Sequence, residues 1–327
     1  KGRKAAAESK APPAEEEAAA AAGGSRRERS SAKSASMRQK EAAIVEREGE
    51  LLGNAAPQTA EDYERLLLGS PHSSYLWLRY MSFQVGLTEL ERAREVAERA
   101  LRTIEMSKEA ERFNVWAALL NFEKAHGSDQ TFLDAFRRAV AGTSSPHRVH
   151  LHAASLHERA GDATLADAAY EAACKKFRRL PDVWGAWLTA LMERGAHDEG
   201  RKTLQRAVDA LPQAQHVELI SKFAQLEFRH GAPERGRTVF DGILSNYPKR
   251  VDVWSIYLDM EIRIPDADPQ VARRLFERVT ALRLSSKKMK FFFKRYLAYA
   301  RAAGDEELVE HVKEKARAWV ESAAGQE

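Results

Sequence analysis

A short pattern, opened in most copies by a large aromatic residue, returns along this chain at a spacing of 33 to 39 residues. An aromatic is followed three residues on by an aromatic or apolar residue, six on by an apolar residue, and seven on by Glu or Gln. Full copies are Trp77, Tyr80, Phe83, Gln84 and Trp254, Tyr257, Met260, Glu261. Between them lie Trp116, Leu119, Phe122, Glu123 and Ile220, Phe223, Leu226, Glu227. Looser copies start at Val149 and at Trp184 with Trp187, and a last one runs Phe293, Tyr296, Tyr299, with Ala300 in place of the acid. Spacings of three and four put these residues on one face of a helix. Self-similarity at this period predicts a helical solenoid, in which no unit can bury its apolar face alone and neighbours must stack.

A second helical stretch follows each copy, as in AREVAERAL (93–101), FLDAFRRAV (132–140), GRKTLQRAV (200–208) and ARRLFERVT (272–280). Gly86, Gly127, Gly161, Gly195 and Gly231 fall between the two helices, where a C-terminal cap favours a positive φ. Pro71, Pro146, Pro181, Pro212 and Pro248 fall between units, just ahead of the next helix. No alternating strand pattern competes. The expected fold is an all-α, right-handed superhelical solenoid of about seven helix pairs. Its aromatics are expected to be structural core, among them Trp77, Tyr80, Trp116, Trp184, Trp187, Phe223, Trp254, Tyr257, Phe293 and Tyr296.

The chain has 327 residues with a formal net charge of +4, a mild excess that permits nucleic acid as a partner without requiring it. A single cysteine, Cys174, rules out a disulfide framework and fits a helix core. No apolar run approaches the roughly 20 residues of a membrane span. Beginning at Lys1 rather than Met, the chain is expected to be part of a longer protein. Residues 1–35 are low complexity and expected to be a disordered linker, residues 36–56 a linker helix, 57–320 the repeat array and 321–327 a tail. Thr59 with Asp62 forms a capping signature where the packed part begins.

The pattern W-x-x-Y-x-x-x-E followed by A-R-x-x-F-E-R resembles the HAT (half-a-TPR) repeat over residues 71 to about 317. Longer segments are more specific. AEDYERLLLGSPHSSYLWLRYMSF (60–83), NVWAALLNFE (114–123), RVDVWSIYLDMEIR (250–263) and LSSKKMKFFFKRYLAY (284–299) resemble the C-terminal repeat module of the ribosomal RNA processing protein five family, called programmed cell death protein eleven in animals. That resemblance implies a non-catalytic, TPR-like scaffold of early pre-ribosomes, in the nucleolus of the nucleus, supporting pre-rRNA processing and assembly of both ribosomal subunits. The partners it implies are pre-ribosomal assembly factors of the small-subunit processome, pre-rRNA and the box C/D guide snoRNP, with no membrane and no small-molecule substrate. It also implies an array of S1 RNA-binding domains ahead of residue 1. The alternatives are a HAT scaffold of splicing or mRNA 3′-end processing, and a helical-repeat enzyme. Ala300 and the weak copies at 149 and 184 depart from the repeat pattern.

No nucleotide loop, nucleophile elbow or zinc-protease motif is present, so no cofactor is expected. Glu123, Glu227 and Glu261 lie in different repeats and are expected to pair with a second-helix arginine such as Arg138 or Arg278. His147, His150, His152 and His157 cluster in sequence, but His150 and His152 point to opposite sides of a helix, His152 at a core position, which disfavours a metal site. Two basic stretches are candidate RNA or partner surfaces. One is Lys175, Lys176, Arg178 and Arg179, where cations at a helix C-terminus also suit the helix dipole. The other is Lys287, Lys288, Lys290, Phe291, Lys294 and Arg295, expected to set an outward-facing ring among cations. Such a face suits RNA backbone with a stacked base, an acidic protein groove, or plain solvation.

Overall fold

A computed structural model describes residues 57–264 and 268–324, so the expected linker and linker helix of residues 1–56 lie outside the described residues. The described part is all-helical, with fifteen helices in two compact units that meet in sequence at Leu119 and Leu120.

The first unit holds α1 (Ala60–Gly69), α2 (Ser74–Gly86), α3 (Leu90–Thr103) and the start of α4 (Glu109–His126). Thr59 caps α1 in a reciprocal box, its hydroxyl accepting from the Asp62 N–H at 3.2 Å while the Asp62 carboxylate accepts from the Thr59 N–H at 3.1 Å. Tyr63 of α1 stacks on Tyr80 of α2 at 5.1 Å. Arg112 of α4 donates to the Leu101 and Ile104 carbonyls, satisfying the open end of α3.

The second unit continues α4 and adds α5 (Asp129–Ala141), α6 (Pro146–Arg159), α7 (Ala163–Lys176), α8 (Pro181–Glu193), α9 (His197–Ala210) and α10 (Gln213–His230). It closes with α11 (Pro233–Asn246), α12 (Val251–Ile262), α13 (Pro269–Thr280), α14 (Ser286–Ala302) and α15 (Glu306–Ala324). Successive helices pack as pairs, α6 on α7, α8 on α9, α10 on α11, α12 on α13 and α14 on α15. First helices also pack in series, α6 on α8, α8 on α10 and α10 on α12. Helix α10 belongs to two cores at once. Its Phe223 and Leu226 pack with Trp184 and Trp187, while its Val217 and Ala224 pack with Trp254 and Phe276. This sharing is how one hairpin covers the apolar face of the last.

The turn glycines meet the sequence expectation at Gly161 and Gly195 and depart from it at Gly86, Gly127 and Gly231. Positive φ occurs at Gly161, Gly195 and Gly304, each two residues past its helix end, and the same position after α2 is Thr88 at φ 61°. In all four turns the following N–H donates back to a carbonyl five residues earlier, for example Ala196 to Leu191 and Glu89 to Gln84. Gly86, Gly127 and Gly231 are not in that region. Gly127 and Gly231 serve close approach instead, since a Cβ there would collide with the Glu123 and Glu227 carboxylates.

Candidate binding surface

The aromatic pattern lies inside. Trp77, Tyr80, Trp116, Trp184, Trp187, Phe223, Trp254, Tyr257, Phe293 and Tyr296 are all buried. Three tryptophans share a contact that the sequence did not announce. The indole N–H donates to the backbone carbonyl six residues earlier, Trp77 to Pro71 at 2.9 Å, Trp184 to Arg178 at 2.9 Å and Trp254 to Pro248 at 2.8 Å. Each tryptophan is the fourth residue of its helix, so the bond ties the helix to the connection that leads into it.

Glu227 and Glu261 pair with second-helix arginines, as expected in kind, though with Arg201 and Arg237 rather than Arg278. Glu261, 1% exposed, accepts from Arg237 at 2.6 and 3.1 Å, and Glu227 accepts from Arg201 at 3.3 Å. Both arginines belong to the second helix of the preceding hairpin. Arg278 instead reaches back to Asp241 at 2.8 Å and lies over the Trp254 ring at 5.3 Å. The same arrangement recurs for Arg206 with Glu171 and Trp187, and for Arg99 with Glu64 and Trp77. Lys315 of α15 extends the series to Glu277. Burial tends to raise the Glu277 pKa, but the Lys315 ammonium, the Tyr296 hydroxyl and His311 outweigh it and hold the carboxyl below its usual value.

The histidines do not converge. His147 and His150 meet the edge of Phe177, His150 also packs on Phe136, and His157 packs on Phe132. His152 is half-buried rather than core and hydrogen-bonds Asn121 at 2.9 Å. Burial, then the nearby Lys176, lowers the His150 pKa. Among the described residues no group of three His, Cys, Asp or Glu could hold a metal, and no helix is long and apolar enough to cross a membrane.

The two basic stretches differ in character. Lys175 and Lys176 close α7, where cations complement the helix dipole. Lys175 pairs with Glu171 at 3.5 Å, and Lys176 sits 3.4 Å from His150 and over the Phe177 ring. Arg178 and Arg179 are exposed in the following turn, where the Arg178 carbonyl receives the Trp184 indole. On α14, Lys287, Lys288 and Lys290 crowd the first turns with no acid among them. There the dipole opposes cations, so helix stability does not account for them. Phe291 is 43% exposed.

Arg295 does not belong to a free face. Its guanidinium donates to Ser255 Oγ at 2.7 Å and Asp259 at 2.5 Å on α12, and lies 5.7 Å from the Phe291 ring centre. The remaining cations divide by helical angle. Lys288 and Phe291 lie on the Arg295 side, Lys290 and Lys294 line a groove between α14 and α15, and Lys287 lies between. From α15 the groove gains Lys313 and Arg317, which sequence reasoning missed. Their i, i+4 spacing, matching that of Lys290 and Lys294, was the available signal.

No protein-family model matches the chain. Against individual proteins, the rRNA biogenesis protein rrp5 of Schizosaccharomyces pombe is 44% identical over 264 residues, which is 81% of this chain and 15% of that protein. The chain belongs to the RRP5 family. The Protein RRP5 homolog of Mus musculus is 45% identical over 81% of this chain and 14% of its own length. The rRNA biogenesis protein RRP5 of Arabidopsis thaliana is 40% identical over 86% of this chain and 15% of its own length. The chain spans about one seventh of the length of these RRP5 relatives.

Proposed function

We propose that this chain is a non-catalytic helical-repeat scaffold of early pre-ribosomes. In this reading it works in the nucleolus, within the small-subunit processome, and supports pre-rRNA processing and subunit assembly by holding proteins and RNA together. The observation that carries the reading is the 44% identity, over most of the chain, to a protein named for rRNA biogenesis. The geometry agrees with a scaffold. Glu227 and Glu261 are consumed in ion pairs between hairpins, and the aromatic pattern is consumed in the core. What remains for partners is the outer surface, where the cations that open α14 stand beside the half-exposed Phe291. Cations with an accessible ring suit phosphate contact and base stacking. Pre-rRNA, the box C/D guide snoRNP and assembly factors are the proposed partners.

The test is Lys287→Glu/Lys288→Glu in the full protein, with Arg295 left intact because it holds Asp259 and Ser255. Acids in a first turn suit the dipole by about 0.3–1 kcal/mol each, so Tm should hold or rise. Recovery of pre-rRNA and the guide snoRNA with the purified particle should fall. Unchanged recovery would remove this face from the reading, and spliceosomal RNA in place of pre-rRNA would overturn the reading itself.

A further inference from the structure

The groove between α14 and α15 has a volume of about 680 Å³ and is walled by these two helices alone. Its floor is apolar, formed by Phe293, Leu297, Val312, Ala316, Trp319 and Val320. Phe293 and Trp319 lie with ring centres 6.4 Å apart, and Val320 is 59% exposed. Its lips are cationic, Lys290 and Lys294 on one side, Lys313 and Arg317 on the other, with Lys313 also touching Glu310 at 2.9 Å.

We infer that this groove docks an amphipathic helix from another protein, one whose apolar stripe is flanked by Glu and Asp. The inference goes beyond the scaffold reading and rests on hairpin packing rather than on family. The chain itself shows how such a face is covered. The hairpin α10/α11 receives α12, which packs on both helices, stacks Tyr257 on Phe240 at 4.9 Å, and brings the Glu261 carboxylate onto Arg237. The occupant of that internal slot is a helix with apolar rings and an acid that meets a cation on the preceding helix. The α14/α15 groove offers the same kind of slot with four cations at its lips. A second copy of this face would oppose like charges across the contact, which is unfavourable. RNA would use the four cations and the Trp319 ring but leave Leu297, Ala316 and Val320 uncovered, whereas the apolar face of a helix fills the whole floor.

The test uses the 327-residue chain and two fluorescent, hydrocarbon-stapled helices. Both carry leucines at i, i+3, i+4 and i+7, with glutamates flanking the stripe in one and lysines in the other. The acidic helix should bind saturably and at least about tenfold more tightly than its lysine twin, a difference that shrinks with salt. Val320→Glu, at the 59% exposed end of the floor, should weaken it by about tenfold or more at unchanged Tm, and Lys290→Glu/Arg317→Glu should abolish the preference between twins. Equal binding of the twins, or no saturable binding, overturns the inference. So does displacement of the acidic helix by single-stranded RNA, or a dimer in sedimentation that Val320→Glu dissociates.

Discussion

Replacing Arg237 with methionine leaves Glu261 with both oxygens deprived of the guanidinium they share, at a site 1% exposed. Removing one partner of a buried ion pair costs about 3–5 kcal/mol, because the other charge stays desolvated. The pair joins α11 to α12, so in a repeat array the loss falls on that junction rather than on the whole chain. Amide hydrogen exchange reads such local opening directly. A loss of about 3 kcal/mol corresponds to exchange roughly a hundredfold faster in α11 and α12. Helices α2 and α3 should be unchanged. Arg237→Met/Glu261→Leu removes both charges and should recover most of the protection, since apolar replacement of a buried pair is often neutral or stabilising by about 1–4 kcal/mol. Arg278→Met serves as the control. It loses a half-exposed pair with Asp241 and a ring contact, together worth about 1 kcal/mol. An Arg237→Met chain within about 1 kcal/mol of the parent, or a double variant no better than the single, would refute the buried charge pair as the source of that stability.

Gly231→Ala should destabilise by about 1–3 kcal/mol, because its Cβ collides with the Glu227 carboxylate. Gly242→Ala, in the open middle of α11, should stabilise by about 0.5–1 kcal/mol, and urea melts of both variants decide the contrast. Thr88→Gly should stabilise by about 1 kcal/mol in the same assay, since a β-branched residue there holds φ 61°. Glu277 titrates below its usual value when folded, so its pairing with Lys315 stabilises above roughly pH 4 and is lost as pH falls through the folded pKa. Thermal melts of Glu277→Gln should therefore converge on the parent in acid and lie below it near neutrality. Burial pushes the Cys174 thiol up to about 12, so maleimide labelling at pH 7 should require urea, and rapid labelling of the native chain would contradict that burial.

What the sequence disclosed was whatever repeats along one face. Trp254, Tyr257 and Met260 announce a buried stripe by their spacing alone, and all three are buried. The acid at the end of the stripe announces a buried pair as well, but not its partner. The arginine in the helix after Glu261 is the nearer in sequence, and only packing selects Arg237 over Arg278. Gly231 illustrates a second limit. Its place between helices suggested a backbone need, whereas the need belongs to the Glu227 side chain one turn earlier. Arg295 illustrates a third. Helical angle placed it with Lys288 and Phe291, but angle does not reveal that α12 stands within reach, offering Asp259 and Ser255. The groove was illegible for a related reason, since half its lip comes from α15, whose cations gain meaning only against those of α14.

The indole bonds from Trp77, Trp184 and Trp254 bear on how such a chain can change over time. Each is a tether of constant length between a helix and the loop before it, so an insertion in that loop would pull ring from carbonyl and tilt one hairpin against its neighbour. Those three joints should therefore keep their gauge, whereas α6 carries Val149 as its fourth residue, with no indole to tie, and the loop ahead of it is freer to change length.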